Sequence, residues 1–72
     1  MYIIAVDENR YGYMPTYYTS RGFTYSVKNA DTFNSEEDAK TALNNLIKNS
    51  NKKSYKEFYG DITGRIFSIR LI

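Results

Sequence analysis

The chain has 72 residues, 42% of them apolar and 25% charged, with ten basic against eight acidic groups for a net charge of +2. A chain of this size buries only about 60% of the surface its unfolded form exposes, so one small domain spanning residues 1–72 with a modest core is expected. Cysteine and histidine are both absent, which excludes disulfide staples, thiolate nucleophiles, the usual zinc ligands and the commonest general base.

The apolar start, MYIIAV, is too short for a signal segment and lacks a basic flank, and no run approaches the ~20 apolar residues that span a bilayer. A soluble protein of the cytoplasm is the expectation, with no membrane partner. Asn, Lys, Ile and Tyr are heavily used, which points to an AT-rich genome or its mobile elements. A surplus of two charges is too small to mark a nucleic-acid footprint by itself.

In chain order, Tyr2 to Val6 is a continuous apolar run with β-branched residues, the pattern of a central strand covered on both faces. Asp7 to Arg10 supplies turn residues. The tyrosine-rich stretch from Tyr11 to Tyr18 reads as extended, and Pro15, which has no N–H for a ladder, places that strand at an edge or at a bulge. After a turn at Thr19 to Gly22, Phe23, Tyr25 and Val27 alternate with polar residues at the strand period of two. Three strands joined by short polar turns predict an antiparallel meander.

Ser35 with Asp38 three positions on is a helix-capping pattern, and Glu36, Glu37 and Asp38 place negative charge on the first turn. Ala39, Ala42, Leu43, Leu46 and Ile47 then form one apolar stripe, with Glu36 and Lys40 able to pair on the other face. Lys48 suits the last turn and Asn49 a left-handed cap. Further on, Ser54 and Glu57 repeat the capping spacing, with Tyr55, Phe58 and Tyr59 on one side and Gly60 as a stop. A single helical turn is one reading; a strand entering a hairpin at Asp61 to Gly64 is the other. In RIFSIRLI, Phe67, Ile69 and Leu71 share one face and Ile66, Ser68, Arg70 and Ile72 the other, which predicts a central strand beside the first.

The expected fold is therefore α+β, a small two-layer sandwich in the order β-β-β-α-(short α)-β. An antiparallel sheet of about four strands carries one main amphipathic helix.

Within SRGFTYSV, residues 20–27, Arg21, Gly22, Phe23 and Tyr25 match the opening of an RNA-reading signature. That signature belongs on a third strand after a complete strand-helix-strand unit, and the residues before Arg21 carry no helical pattern. Core packing for Phe23 and Tyr25, with Arg21 and Gly22 in a turn, accounts for the same residues. Eight of the twelve aromatic residues are tyrosines, and Arg10, Tyr11, Tyr13, Tyr17, Tyr18 and Arg21 interleave aromatic and basic groups. Tyr covers a sheet while its hydroxyl stays wet, and it anchors protein interfaces. The same chemistry, with Lys52, Lys53 and Lys56 added, would let bases stack and phosphates meet cations. Asp7 with Glu8, and Glu36 with Glu37 and Asp38, lack the spacing of an oxygen-ligand loop. No catalytic residue, metal or cofactor is assigned, and an enzyme is not expected.

The segment NADTFNSEEDAKTAL, residues 29–43, resembles very small accessory proteins of phages and other mobile elements of low-GC Gram-positive bacteria. The matching positions are Ala30, Phe33, Ser35, Glu37 and Ala39. The resemblance implies a protein that binds and blocks a host component, with anti-CRISPR inhibitors the best-known class and a host nucleic-acid enzyme, such as a CRISPR effector nuclease, the partner. Many such inhibitors are acidic mimics of DNA. The mild positive charge here departs from that and favours direct occlusion of a protein surface.

Two functions follow as expectations. The first is a non-catalytic protein-binding module anchored by Arg10, Tyr11, Tyr13, Tyr17, Tyr18 and Arg21. The second is a single-stranded nucleic-acid binder using the same cluster. A homodimer formed through Pro15's strand or the C-terminal strand is compatible with either.

Overall fold

The computed structural model describes residues 1–8 and 14–72. The proposed contacts Arg10, Tyr11 and Tyr13, and the start of the tyrosine-rich stretch, lie outside the described residues. Four antiparallel strands form one sheet in the order β3-β2-β1-β4, where β1 is Tyr2–Val6, β2 Thr16–Thr19, β3 Gly22–Thr24 and β4 Phe67–Leu71. Helices α1 (Glu36–Asn49) and α2 (Lys53–Tyr59) complete the α+β fold, after a short 3-10 turn at Val27–Asn29.

The continuous apolar run of β1 has the expected consequence. Ile3, Ile4, Ala5 and Val6 are fully buried, and removing a side chain such as Ile from water is worth ~1.5–3 kcal/mol. Both faces of the strand are used. Ile3 and Ala5 gather with Tyr17 and Ala30 in one buried cluster, while Ile4 and Val6 share the opposite face with Ile69 and Phe67 through the β1–β4 register. Phe33, just before α1, and Tyr59, in α2, both set their rings near that of Tyr18, which puts the helices on this second face. There α1 packs against β1 and β4, and α2 against β3.

The start of α1 is as its sequence dictates. Ser35 is extended, and its Oγ accepts from the Asp38 N–H at 3.1 Å, with three acidic residues in the first turn. Ala39 and Leu46 are the buried residues of the stripe, and Glu36 and Lys40 stand 3.9 Å apart on the outside.

Several expectations are corrected. Asn49 is the last helical residue rather than a left-handed cap; Ser50 closes the helix in right-handed conformation, its N–H and hydroxyl both directed to the Ile47 carbonyl. The second helix is longer than one turn and starts at Lys53, with no side-chain cap, so Ser54 is inside it. Gly60 does end it, at φ 69°. Pro15 lies just before an interior strand rather than in an edge strand, a place where its missing N–H takes nothing from the ladder. β4 lies beside β1 as expected but forms the sheet's edge, because β2 occupies the other side of β1. β3 stops at Thr24, whose hydroxyl accepts from the Ser26 N–H at 3.1 Å as the chain leaves the sheet.

Candidate interaction surface

The β2–β3 hairpin is held from inside and from above. The Thr19 hydroxyl donates to the Gly22 carbonyl at 2.8 Å and accepts from the Arg21 N–H at 3.2 Å. Tyr59 reaches down from α2 and donates its hydroxyl to the Thr19 carbonyl at 2.6 Å. Burial pushes the Tyr59 phenol well above its usual range, and the neighbouring Tyr18 hydroxyl adds to the effect. Gly22 has φ 145°, and a β-carbon placed on it would stand 2.8 Å from the Phe58 carbonyl oxygen. The glycine of the RNA-like signature thus lets α2 sit directly on the hairpin.

The rings of the sheet are consumed by one another. Tyr18 stacks on Tyr59, with centroids 5.7 Å apart and planes 9° from parallel. Phe23 has Tyr59 at 5.1 Å, Phe67 at 6.4 Å and the Arg65 guanidinium at 5.6 Å. Phe23 sits on β3 and Phe67 on β4, at opposite edges of the sheet. Val6 is paired with both Phe67 and Thr16 in the strands between them. Phe23 therefore packs inside, as expected, on a sheet face covered by α2 and not on an open stacking platform.

The other half of that expectation is corrected. Tyr25 is 70% exposed, because β3 ends one residue before it. Phe58 is likewise 51% exposed. On a helix Phe58 and Tyr59 are successive residues about 100° apart, so both cannot face the sheet, and Tyr59 takes that place. Every other described aromatic residue is buried or half-buried. Adjacent alternation had marked Tyr25 as interior, and only the early end of β3 frees it.

The expected contacts separate accordingly. Tyr17 is only 6% exposed and belongs to the buried cluster with Ile3 and Ala5. Tyr18, its neighbour, points to the other face and is half-buried against Tyr59. Arg21 is exposed at the hairpin turn. Lys52, Lys53 and Lys56 are also exposed, around the start of α2. Exposed residues flank β3, with Arg21 before the strand and Tyr25 and Val27 after it, and the backbone carbonyl of exposed Phe58 lies over Gly22.

The carboxylates after β1 have structural partners. Asp7, at φ 60°, accepts from Arg65 Nε at 2.6 Å and from the Ile66 N–H at 2.9 Å. Glu8 accepts from Arg70 Nη1 at 2.7 Å. Asp is among the few non-glycine residues that tolerate this left-handed backbone. These pairs join the end of β1 to the chain entering and running along β4. Among the described residues, no group of three or more acidic side chains is placed to hold a metal ion, and no helix is long and apolar enough to cross a membrane.

No protein family, curated protein or solved structure matches this chain.

Proposed function

We propose that this protein is a non-catalytic protein-binding module of the kind by which phages and mobile elements block a host nucleic-acid enzyme, such as a CRISPR effector nuclease. Its contact surface is the margin of β3 formed by Arg21, Tyr25, Val27 and Phe58. The observation that supports this reading is the exposure of Tyr25 and Phe58, 70% and 51%, in a chain whose other described aromatic residues are buried or half-buried. Aromatic and arginine side chains are the types that carry most binding energy when a partner desolvates them. The resemblance of residues 29–43 to small accessory proteins supports the inhibitor role. A net charge of +2 favours occlusion of a protein surface over imitation of DNA.

The test is affinity capture with the tagged chain from a lysate of a low-GC Gram-positive bacterium, with and without nuclease treatment, read by mass spectrometry and by absorbance of the eluate. Under this proposal a protein is retained in stoichiometric amount and the nuclease makes no difference. Retention of nucleic acid, with protein lost after nuclease, contradicts it and indicates a single-strand binder, whose affinity would fall steeply with salt through counterion release.

A further inference from the structure

We infer that the outer edge of β4 is a self-complementary docking surface for a second copy of this chain, giving a two-fold dimer with a sheet continuous through both copies. The hydrogen bonds at the ends of the β1–β4 ladder fix which backbone groups are free. The Asp7 N–H donates to the Ile66 carbonyl and the Ile72 N–H to the Met1 carbonyl, while Tyr2 exchanges bonds with Phe33 on the other side of β1. Alternation along an antiparallel strand then turns residues 66, 68, 70 and 72 toward β1. Phe67, Ile69 and Leu71 turn their N–H and C=O groups outward, where among the described residues no strand pairs with them.

An unpaired edge of this kind is normally guarded by charged side chains, above all Lys, by Pro, by a bulge or by brevity. β4 carries no Lys, Pro or bulge, and its one charged residue, Arg70, is paired with Glu8 at 2.7 Å. It is five residues long, and the side chains of its outward-bonding residues are Phe, Ile and Leu, with Leu71 66% exposed and Ile66 and Ile72, on either side of the strand, more than half exposed. The opposite edge, β3, is only three residues long.

The partner is a second copy because the strand complements itself. A two-fold axis at Ile69 sets Ile69 against its own copy and Phe67 against Leu71, and each of these pairs can exchange both backbone bonds. The same register sets Arg70 opposite Ser68. An axis at Arg70 would set two arginines directly opposite, which is unfavourable, and an axis at Ser68 would leave Leu71 outside the paired strands. Arg70 also arrives with its own counter-charge, since Glu8 holds it at 2.7 Å. The interface is small, near or below the ~1,200 Å² lower bound of standard specific interfaces, so the dimer dissociates on dilution.

Light scattering on the full chain across about 10 μM to 1 mM, the range of affinities expected of so small an interface, should give a mass rising toward twice the 8.4 kDa of one chain. Leu71→Lys, at an exposed position, should hold the mass at one chain with an unchanged circular-dichroism spectrum. The chain has no native cysteine, so register can be read by disulfide formation. Mixing the Ser68→Cys and Arg70→Cys variants should give the mixed disulfide in excess of either symmetric one. A monomeric mass throughout the range overturns the inference. So does a dimer whose folded Leu71→Lys variant still associates, or one in which the symmetric disulfides dominate.

Discussion

The carbonyl oxygen of Phe58 lies 2.8 Å from the point where a β-carbon on Gly22 would be. This close approach seats α2 on the β2–β3 hairpin, with Tyr59 bonded to the Thr19 carbonyl beneath it. Gly22→Ala must move a backbone carbonyl and must also adopt φ 145°, a region that side chains other than glycine avoid. The cost should be about 2–3 kcal/mol. In thermal melts, Tm should fall by roughly 10–20 °C for a domain of this size.

Tyr59 links stability to alkaline pH. Its folded-state pKa is raised above the ordinary tyrosine value of about 10, chiefly by burial, so the neutral phenol is the form the fold favours. The associated stability is fully present below pH 10 and is lost as pH rises above it. Tyr59→Phe should lose about 1 kcal/mol at neutral pH, since the Thr19 carbonyl loses its donor. The same variant should flatten the decline in denaturant midpoint above pH 10. An equally steep decline would mean that other groups drive alkaline unfolding.

Thr16 carries a buried hydroxyl with no hydrogen-bond partner among the described residues, set between strands β1 and β3 on the face where Phe23 and Phe67 meet. Thr16→Val keeps the shape and removes the stranded polar group. Urea unfolding should show a stability unchanged or raised by about 1 kcal/mol, in contrast to the usual loss on altering an interior residue.

The Asp7–Arg65 pair is partly shielded, with side chains 12% and 31% exposed. Its coupling should therefore exceed that of a surface pair, at about 1–2 kcal/mol in a double-mutant cycle with Asp7→Asn and Arg65→Gln. Asn tolerates the left-handed backbone at position 7, so the cycle reads the charge interaction. The exposed Glu36–Lys40 pair should give under about 0.5 kcal/mol.

Much of the fold is legible in the residues because its signals are local. Ser35 and the acidic turn after it announce α1, and the uninterrupted Ile-Ile-Ala-Val of β1 announces a strand buried on both faces. Gly60 announces the end of α2. What escapes a local reading depends on distant partners. Nothing near Phe67 to Leu71 says whether β4 is central or at an edge; β2, far along the chain, settles that by taking the other side of β1. Asp7 and Glu8 find Arg65 and Arg70 only through the register of that pairing. Tyr17 and Tyr18 look alike in sequence and fall on opposite faces of one strand. The candidate surface was the least legible part, since the exposure of Tyr25 depends on where β3 stops and that of Phe58 on which ring of α2 faces the sheet.

The most direct measurement of the proposed function is partner capture from lysate, with and without nuclease, by the native chain, by Tyr25→Ser with Phe58→Ser, and by Tyr18→Phe as a control, each first checked for an unchanged Tm. The account predicts that the native chain and the control retain the same protein in stoichiometric amount and that the double variant loses it. Retention by a folded double variant, or capture of nucleic acid alone by the native chain, would contradict a protein-binding surface at the margin of β3.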